Sequence, residues 1–152
     1  MADPKTVAFD ELESLVGEHI GVSDWHEIDQ DRVNLFADAT GDHQWIHVDV
    51  ERATQFLGGP IAHGYLTLSL LPMLSGEVLR VDGVTRGINY GSNKVRFTNM
   101  VPVGSKVRLS QTCKSVEPKA GGKQLIVEST IEIEGQERPA CVAEAISILY
   151  GG

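Results

Sequence analysis

Gly64-Tyr65-Leu66-Thr67-Leu68-Ser69-Leu70-Leu71-Pro72-Met73-Leu74-Ser75-Gly76-Glu77-Val78-Leu79 is the stretch on which the fold turns. Its apolar residues, Tyr65, Leu66, Leu68, Leu70, Leu71, Met73, Leu74, Val78 and Leu79, surround a helix instead of lining one stripe. Such a helix has to be covered on nearly every side by the rest of the chain. Pro72 has no backbone N–H to give and predicts a bend. The greasy run from Ile61 to Leu74 is broken by His63 and Gly64. It falls short of the ~20 residues that cross a bilayer, so it reads as a core helix and no membrane partner is expected.

The cover comes from downstream. Lys106 to Lys114 alternates Val107, Leu109 and Cys113 with polar residues, which is the period of a half-buried strand. Leu125, Val127, Ile131 and Ile133 make a second such run, and Val142, Ile146 and Ile148 a third, with turn residues Pro118, Ala120-Gly121-Gly122 and Gly135 around them. These runs are longer than the usual ~5–6 residues. Long antiparallel strands with one greasy face predict a curved sheet wrapped on the helix, an α+β architecture.

Upstream, Phe9 to Val16 predicts a short helix and Trp25 to Ile28 a strand. Asp29 can cap a helix that buries Val33, Phe36, Ala37 and Thr40 on one face and stops at Gly41. Asp49 can cap another, with Ala53, Phe56 and Leu57 inward and Gly58-Gly59-Pro60 at its end. Asp42 to Val48 then forms the connector. Nothing repeats and no linker divides the chain, so residues 1–152 read as one domain.

Composition narrows the function. Lys and Arg number 13 against 21 Asp and Glu, a net charge of −8, so a nucleic-acid surface is not expected. The two cysteines, Cys113 and Cys141, have neither CxxC spacing nor a metal-ligand cluster and read as reduced core thiols. The N-terminus lacks the basic start and apolar stretch of a secretory signal. A cytoplasmic setting is expected.

The chemistry concentrates in Gly41-Asp42-His43-Gln44-Trp45-Ile46-His47-Val48-Asp49 and Ile61-Ala62-His63-Gly64. From spacing alone, Asp42 is as well a turn former, His47 a loop residue packed on Trp45, and Gly64 a packing glycine. His43 and His47 with Asp42 and Asp49 also sketch a metal site, but a connector does not set two imidazoles on one face and no metal is expected. The pairing of Gly-Asp-x4-His with Ile-x-His-Gly at the mouth of an apolar helix resembles the MaoC-like hydratase family. Gln44 to Asp49, with Asn89-Tyr90-Gly91 and Asn93-Lys94-Val95-Arg96-Phe97, is similar to its nodulation-protein-N-like branch. The resemblance runs from about Val33 to Tyr150.

It implies a hot-dog fold and an (R)-specific enoyl-CoA hydratase, acting on an acyl-CoA thioester with no cofactor beyond the coenzyme A of the substrate. Adding water across a double bond conjugated to a thioester needs a base for water, an acid for the α carbon, and a donor for the charge on the carbonyl oxygen. The resemblance assigns the first two tasks to Asp42 and His47, without deciding which returns the proton, and the third to the N–H of Gly64. Substrate contacts are expected from Trp45, Ile46, His63, Asn93, Lys94, Arg96 and Phe97, with His63 supporting the loop. Arg80, Arg86, Lys94 and Arg96 against Asp82 give a local +3 for the phosphates of coenzyme A, or are solvated strand residues. Many relatives carry Asn-Pro where this chain has Gln44-Trp45, so the indole predicts a narrowed pocket and short or medium acyl chains. A homodimer is implied too. The rival readings are an acyl-thioester-binding or signalling module without turnover, and a hot-dog thioesterase.

Overall fold

The computed structural model describes residues 2–152. β1 (Lys5–Ala8) leads into a 3-10 turn at Phe9–Leu15, then β2 (His19–Val22) and the short β3 (His26–Glu27). Five helices follow: α1 (Gln30–Thr40), α2 (Trp45–Val48), α3 (Val50–Leu57), α4 (Gly64–Ser69) and α5 (Leu71–Val78). The remaining strands are β4 (Leu79–Asp82), β5 (Val84–Arg96), β6 (Lys106–Lys119), β7 (Gly122–Ile133) and β8 (Cys141–Gly151). The antiparallel sheet runs β2-β6-β7-β8-β5, with β3 also on β6, while β1 pairs with β4 in parallel.

The sheet curls around α4 and α5, the hot-dog arrangement. Register shifts at Cys113/Ser115 in β6 and Asn89/Gly91 in β5 bend the long strands. Ala120 and Gly121, both at positive φ (52° and 82°), make the two-residue turn that matches the twist of the β6–β7 hairpin. Leu74 is fully buried and Val78 nearly so, packed with Val107, Leu109, Val127 and Ile131. Each such side chain contributes about 1.5–3 kcal/mol of burial.

Four details differ from the expectation. The central helix is two helices that meet at Leu70, with Pro72 inside the first turn of the second, where its missing N–H costs no helical bond. It is also bare on one side, since Tyr65 is 69 % and Met73 42 % exposed. On α3 only Ala53 is buried, and Phe56 and Leu57 face out. On β8 the core face carries Cys141, Ala143, Ala145 and Leu149, whereas Val142 is exposed and Ile146 half-buried; Ile148 is buried, as expected, but outside the core cluster. Alternation is the same on both faces of that strand, and register with β7, where Ala145 faces Val127, chose between them.

Candidate active site

Asp29 accepts a hydrogen bond from the Arg32 N–H and starts α1, and Gly41, at φ 81°, ends it in a left-handed cap. The chain turns there and presents Asp42, which is exposed and whose carboxylate accepts from the Gln44 N–H at 3.3 Å. The expected connector then coils into α2, because Asp49 N–H closes onto the Trp45 carbonyl before Asp49 caps α3. That single turn drives His47 inward, to 6 % exposure.

His47 Nδ1 lies 2.6 Å from the Ile61 carbonyl. A carbonyl only accepts, so Nδ1 carries a proton, and in the neutral ring the lone pair is therefore on Nε2. His63, at the head of α4, donates from Nε2 to the Asp42 backbone carbonyl at 3.0 Å. The two imidazoles stack with centroids 3.8 Å apart at 24°, and Phe36 closes the other side of His63 at 4.9 Å. One donor atom each of Asp42, His47 and His63 lies within 4.8 Å of the others.

That is a carboxylate and two imidazoles, a set zinc can use. Stacked rings, however, send their in-plane lone pairs side by side instead of to one point, and turning His63 would break its bond to Asp42. His43 is turned away, 2.9 Å from Asp38, so the pairing of His43 with His47 does not form.

A cavity of about 400 Å³ opens beside His47, with His47, Gly64, Thr67, Phe97 and Arg138 in its wall, while Asp42 and His63 stand behind His47 and outside that wall; Asp42 and His47 are the candidate dyad. The Gly64 N–H is the first of α4, and no carbonyl of that helix precedes it. A Cβ at Gly64 would stand 3.0 Å from Phe97 Cγ, so the missing side chain is what lets the ring lie on the helix start. Tyr65 meets the same ring edge-on at 5.9 Å.

The other expected contacts are placed elsewhere. Trp45 turns to α3, with Arg52 4.3 Å above its ring and Phe56 edge-on at 6.0 Å, and does not line the cavity. In this arrangement the indole does not narrow that cavity. Ile46 contributes its carbonyl, which takes the Ile61 N–H at 3.0 Å and so positions the acceptor for His47. Asn93, Lys94 and Arg96 lie exposed at the Phe97 end of β5, outside the cavity wall. The local +3 is split: Arg80 pairs with Asp82, and Arg86 covers Tyr150 at the far end of the strand. The eight residue steps of strand from Arg86 to Lys94 span roughly 26 Å, too far for one phosphate cluster.

Thr67 and Arg138 went unnoticed in the sequence. Thr67 stands one helical turn beyond Gly64 and was legible in principle from the i, i+3 spacing. Arg138 lies on the β7–β8 connection, held by Asn99 Nδ2 on its carbonyl at 3.2 Å, and no local signal marks it.

The profile of the MaoC like domain matches residues 11–135. The chain belongs to the MaoC-like family. It is 54 % identical over 138 residues to the 3-hydroxyacyl-thioester dehydratase Z of Mycobacterium tuberculosis, covering 90 % of this chain and 91 % of that protein. It is 42 % identical over 144 residues to nodulation protein N of Rhizobium leguminosarum bv. viciae, covering 91 % and 89 %. Of solved structures, an unliganded R-hydratase from Pseudomonas aeruginosa superposes with a TM-score of 0.76 at 23 % identity, over 95 % of this chain and 86 % of that one. That likeness shows the MaoC-like fold.

Proposed function

We propose that this site hydrates trans-2-enoyl-CoA reversibly to (3R)-3-hydroxyacyl-CoA, which is hydro-lyase chemistry. The observation that carries it is the buried His47, locked by Ile61 into the tautomer that leaves Nε2 basic, beside the Asp42 carboxylate and on the same cavity as the Gly64 N–H. Water gives a proton to the dyad as its oxygen bonds to C3. The electron pair of the double bond moves toward the thioester, and the charge on the carbonyl oxygen rests on the Gly64 N–H. The dyad returns one proton to C2, so the sum is one water added. No cofactor besides the coenzyme A of the substrate takes part. The dehydratase Z name, carried by a relative at 54 % identity, supports the same reaction in the opposite direction.

In this reading Lys94 and Arg96, beside Phe97 in the chain, take the phosphates of coenzyme A. β5, an edge strand of 13 residues with Ile88 and Tyr90 exposed, is the face through which a cytoplasmic homodimer would pair. Light scattering then gives twice the monomer mass, and a monomer at working concentration contradicts the dimer.

The test is loss of the conjugated enoyl absorbance on adding crotonyl-CoA. Asp42→Asn and His47→Gln are expected to lower kcat at least about a hundredfold. An active Asp42→Asn protein, freed of contaminating hydratase, overturns the assignment. Tight acyl-CoA binding without hydration favours a binding module, and release of free thiol a thioesterase.

A further inference from the structure

Thr67 is 2 % exposed and stands on α4 in the wall of the cavity beside His47. A hydroxyl on a helix can give its proton to the carbonyl four residues back. Thr40, Thr54 and Ser69 do so, to Phe36, Val50 and Tyr65 at 2.7, 2.6 and 2.6 Å. Thr67 does not. The carbonyl it would use is that of His63, which already takes the N–H groups of Leu66 and Thr67 at 3.1 and 3.2 Å, so both of its lone pairs are engaged. Among the described residues the Thr67 hydroxyl has no hydrogen-bond partner, and the sealed polar side-chain atoms without one are Arg32 Nη1 and His63 Nδ1. Thr67 Oγ1 is therefore open, and what it opens on is the cavity.

The other neutral side-chain donors of that wall are spent. Thr98 gives its hydroxyl proton to the Pro139 carbonyl, and Asn99 gives both amide protons, one to Gln136 Oε1 and one to the Arg138 carbonyl. Arg138 itself is exposed, where water and salt screen its charge. Side chains on a helix lean toward its start, so the Thr67 hydroxyl lies over the turn that Gly64 opens. Gly64 has no Cβ and leaves that turn bare except for the Phe97 ring. A carbonyl oxygen has two lone pairs, and the Gly64 N–H meets one of them.

We propose that the Thr67 hydroxyl is a second donor to the thioester oxygen of the substrate, beside the Gly64 N–H. This rests on the hydration reading. No protein acceptor competes for the hydroxyl proton, so it is free for that oxygen from the moment the substrate enters. Its bond strengthens as negative charge gathers on the oxygen, and the proton stays on Oγ1 throughout. Thr67 is in this sense a catalytic residue that neither gives nor takes a proton.

Crotonyl-CoA kinetics test it together with the enolate absorbance of acetoacetyl-CoA, a thioester that carries the enolate charge without being hydrated. Thr67→Val keeps the shape and loses the hydroxyl, so kcat is expected to fall about a hundredfold with KM within about threefold. Thr67→Ser keeps the hydroxyl and loses a methyl group, and should recover at least about tenfold of that loss. A packing role reverses the order, because Thr67→Val fills the space and Thr67→Ser leaves a gap. At one fixed pH the wild type should raise the enolate fraction of acetoacetyl-CoA, and Thr67→Val should cut that rise about tenfold. Wild-type kcat in Thr67→Val, a Thr67→Ser protein no faster than Thr67→Val, or an enolate signal indifferent to the hydroxyl overturns the assignment. If the wild type leaves crotonyl-CoA unhydrated, the hydration reading fails, and the acetoacetyl-CoA signal of the wild type against Thr67→Val still decides the role of Thr67. Should Thr67→Val fail to fold, Thr67→Ala against Thr67→Ser, which differ by the hydroxyl alone, gives both readings.

Discussion

A side chain at Gly64 and the ring of Phe97 crowd one another: the first carbon added would stand 3.0 Å from Phe97 Cγ. Two roles meet in this glycine, the packing of an aromatic ring and the open approach to a main-chain N–H. Gly64→Ala is expected to lower kcat, since the Phe97 ring must give by a few tenths of an ångström and the new methyl group stands beside the main-chain N–H. Adding Phe97→Ala relieves the clash. Thermal unfolding of the double variant should recover, and crotonyl-CoA turnover should not. Recovery of both would make Gly64 a packing residue only.

His63 acts through its neighbours, bonding the Asp42 carbonyl and stacking on His47. His63→Phe keeps the stack and leaves the carbonyl without its donor. We expect kcat to fall tenfold or more while KM stays within about threefold, because the loop carrying Asp42 loosens but the cavity wall is unchanged. Steady-state kinetics on crotonyl-CoA separates the two constants. An unchanged kcat removes His63 from the positioning of Asp42.

Trp45 packs on Arg52 and Phe56 outside the cavity wall, so no effect of the indole on chain length is expected. Trp45→Ala is expected to leave the ratio of kcat/KM for crotonyl-CoA and dodecenoyl-CoA within about twofold. It should lower thermal stability instead, through loss of the Arg52 and Phe56 contacts, by about 1–2 kcal/mol. A shifted ratio would return the indole to the pocket.

Burial pushes the Cys141 thiol up from 9.0 to about 11. At pH 8.5 the folded protein should resist iodoacetamide, with unfolding in urea making Cys141 react on the order of a hundredfold faster. The sign for stability follows. As pH rises through the ordinary thiol range the unfolded chain loses this proton first, so the native state loses stability from about pH 9 to about 11. Rapid alkylation of Cys141 in the native protein would contradict the burial.

Alternation in Leu125 to Ile133 and the caps at Asp29, Gly41 and Asp49 were legible because each depends on neighbours within a turn or two of chain. The same local reasoning mistook the face of β8 and the exposure of Phe56. Apolar residues occupy both sides of β8, and only the pairing of Ala145 with Val127 says which side meets the helix.

The amino-acid order alone determined the elements and the pair of motifs, since hydrogen-bond capacity, side-chain shape and period act over a few residues. It did not determine that Ile61 would hold the His47 proton, that His63 would stack on His47, or that Arg138 and Phe97, 41 positions apart, would share a wall. Those relations arise where distant segments are pressed together around α4 and α5, and the free energy that joins them is that of burying the whole core.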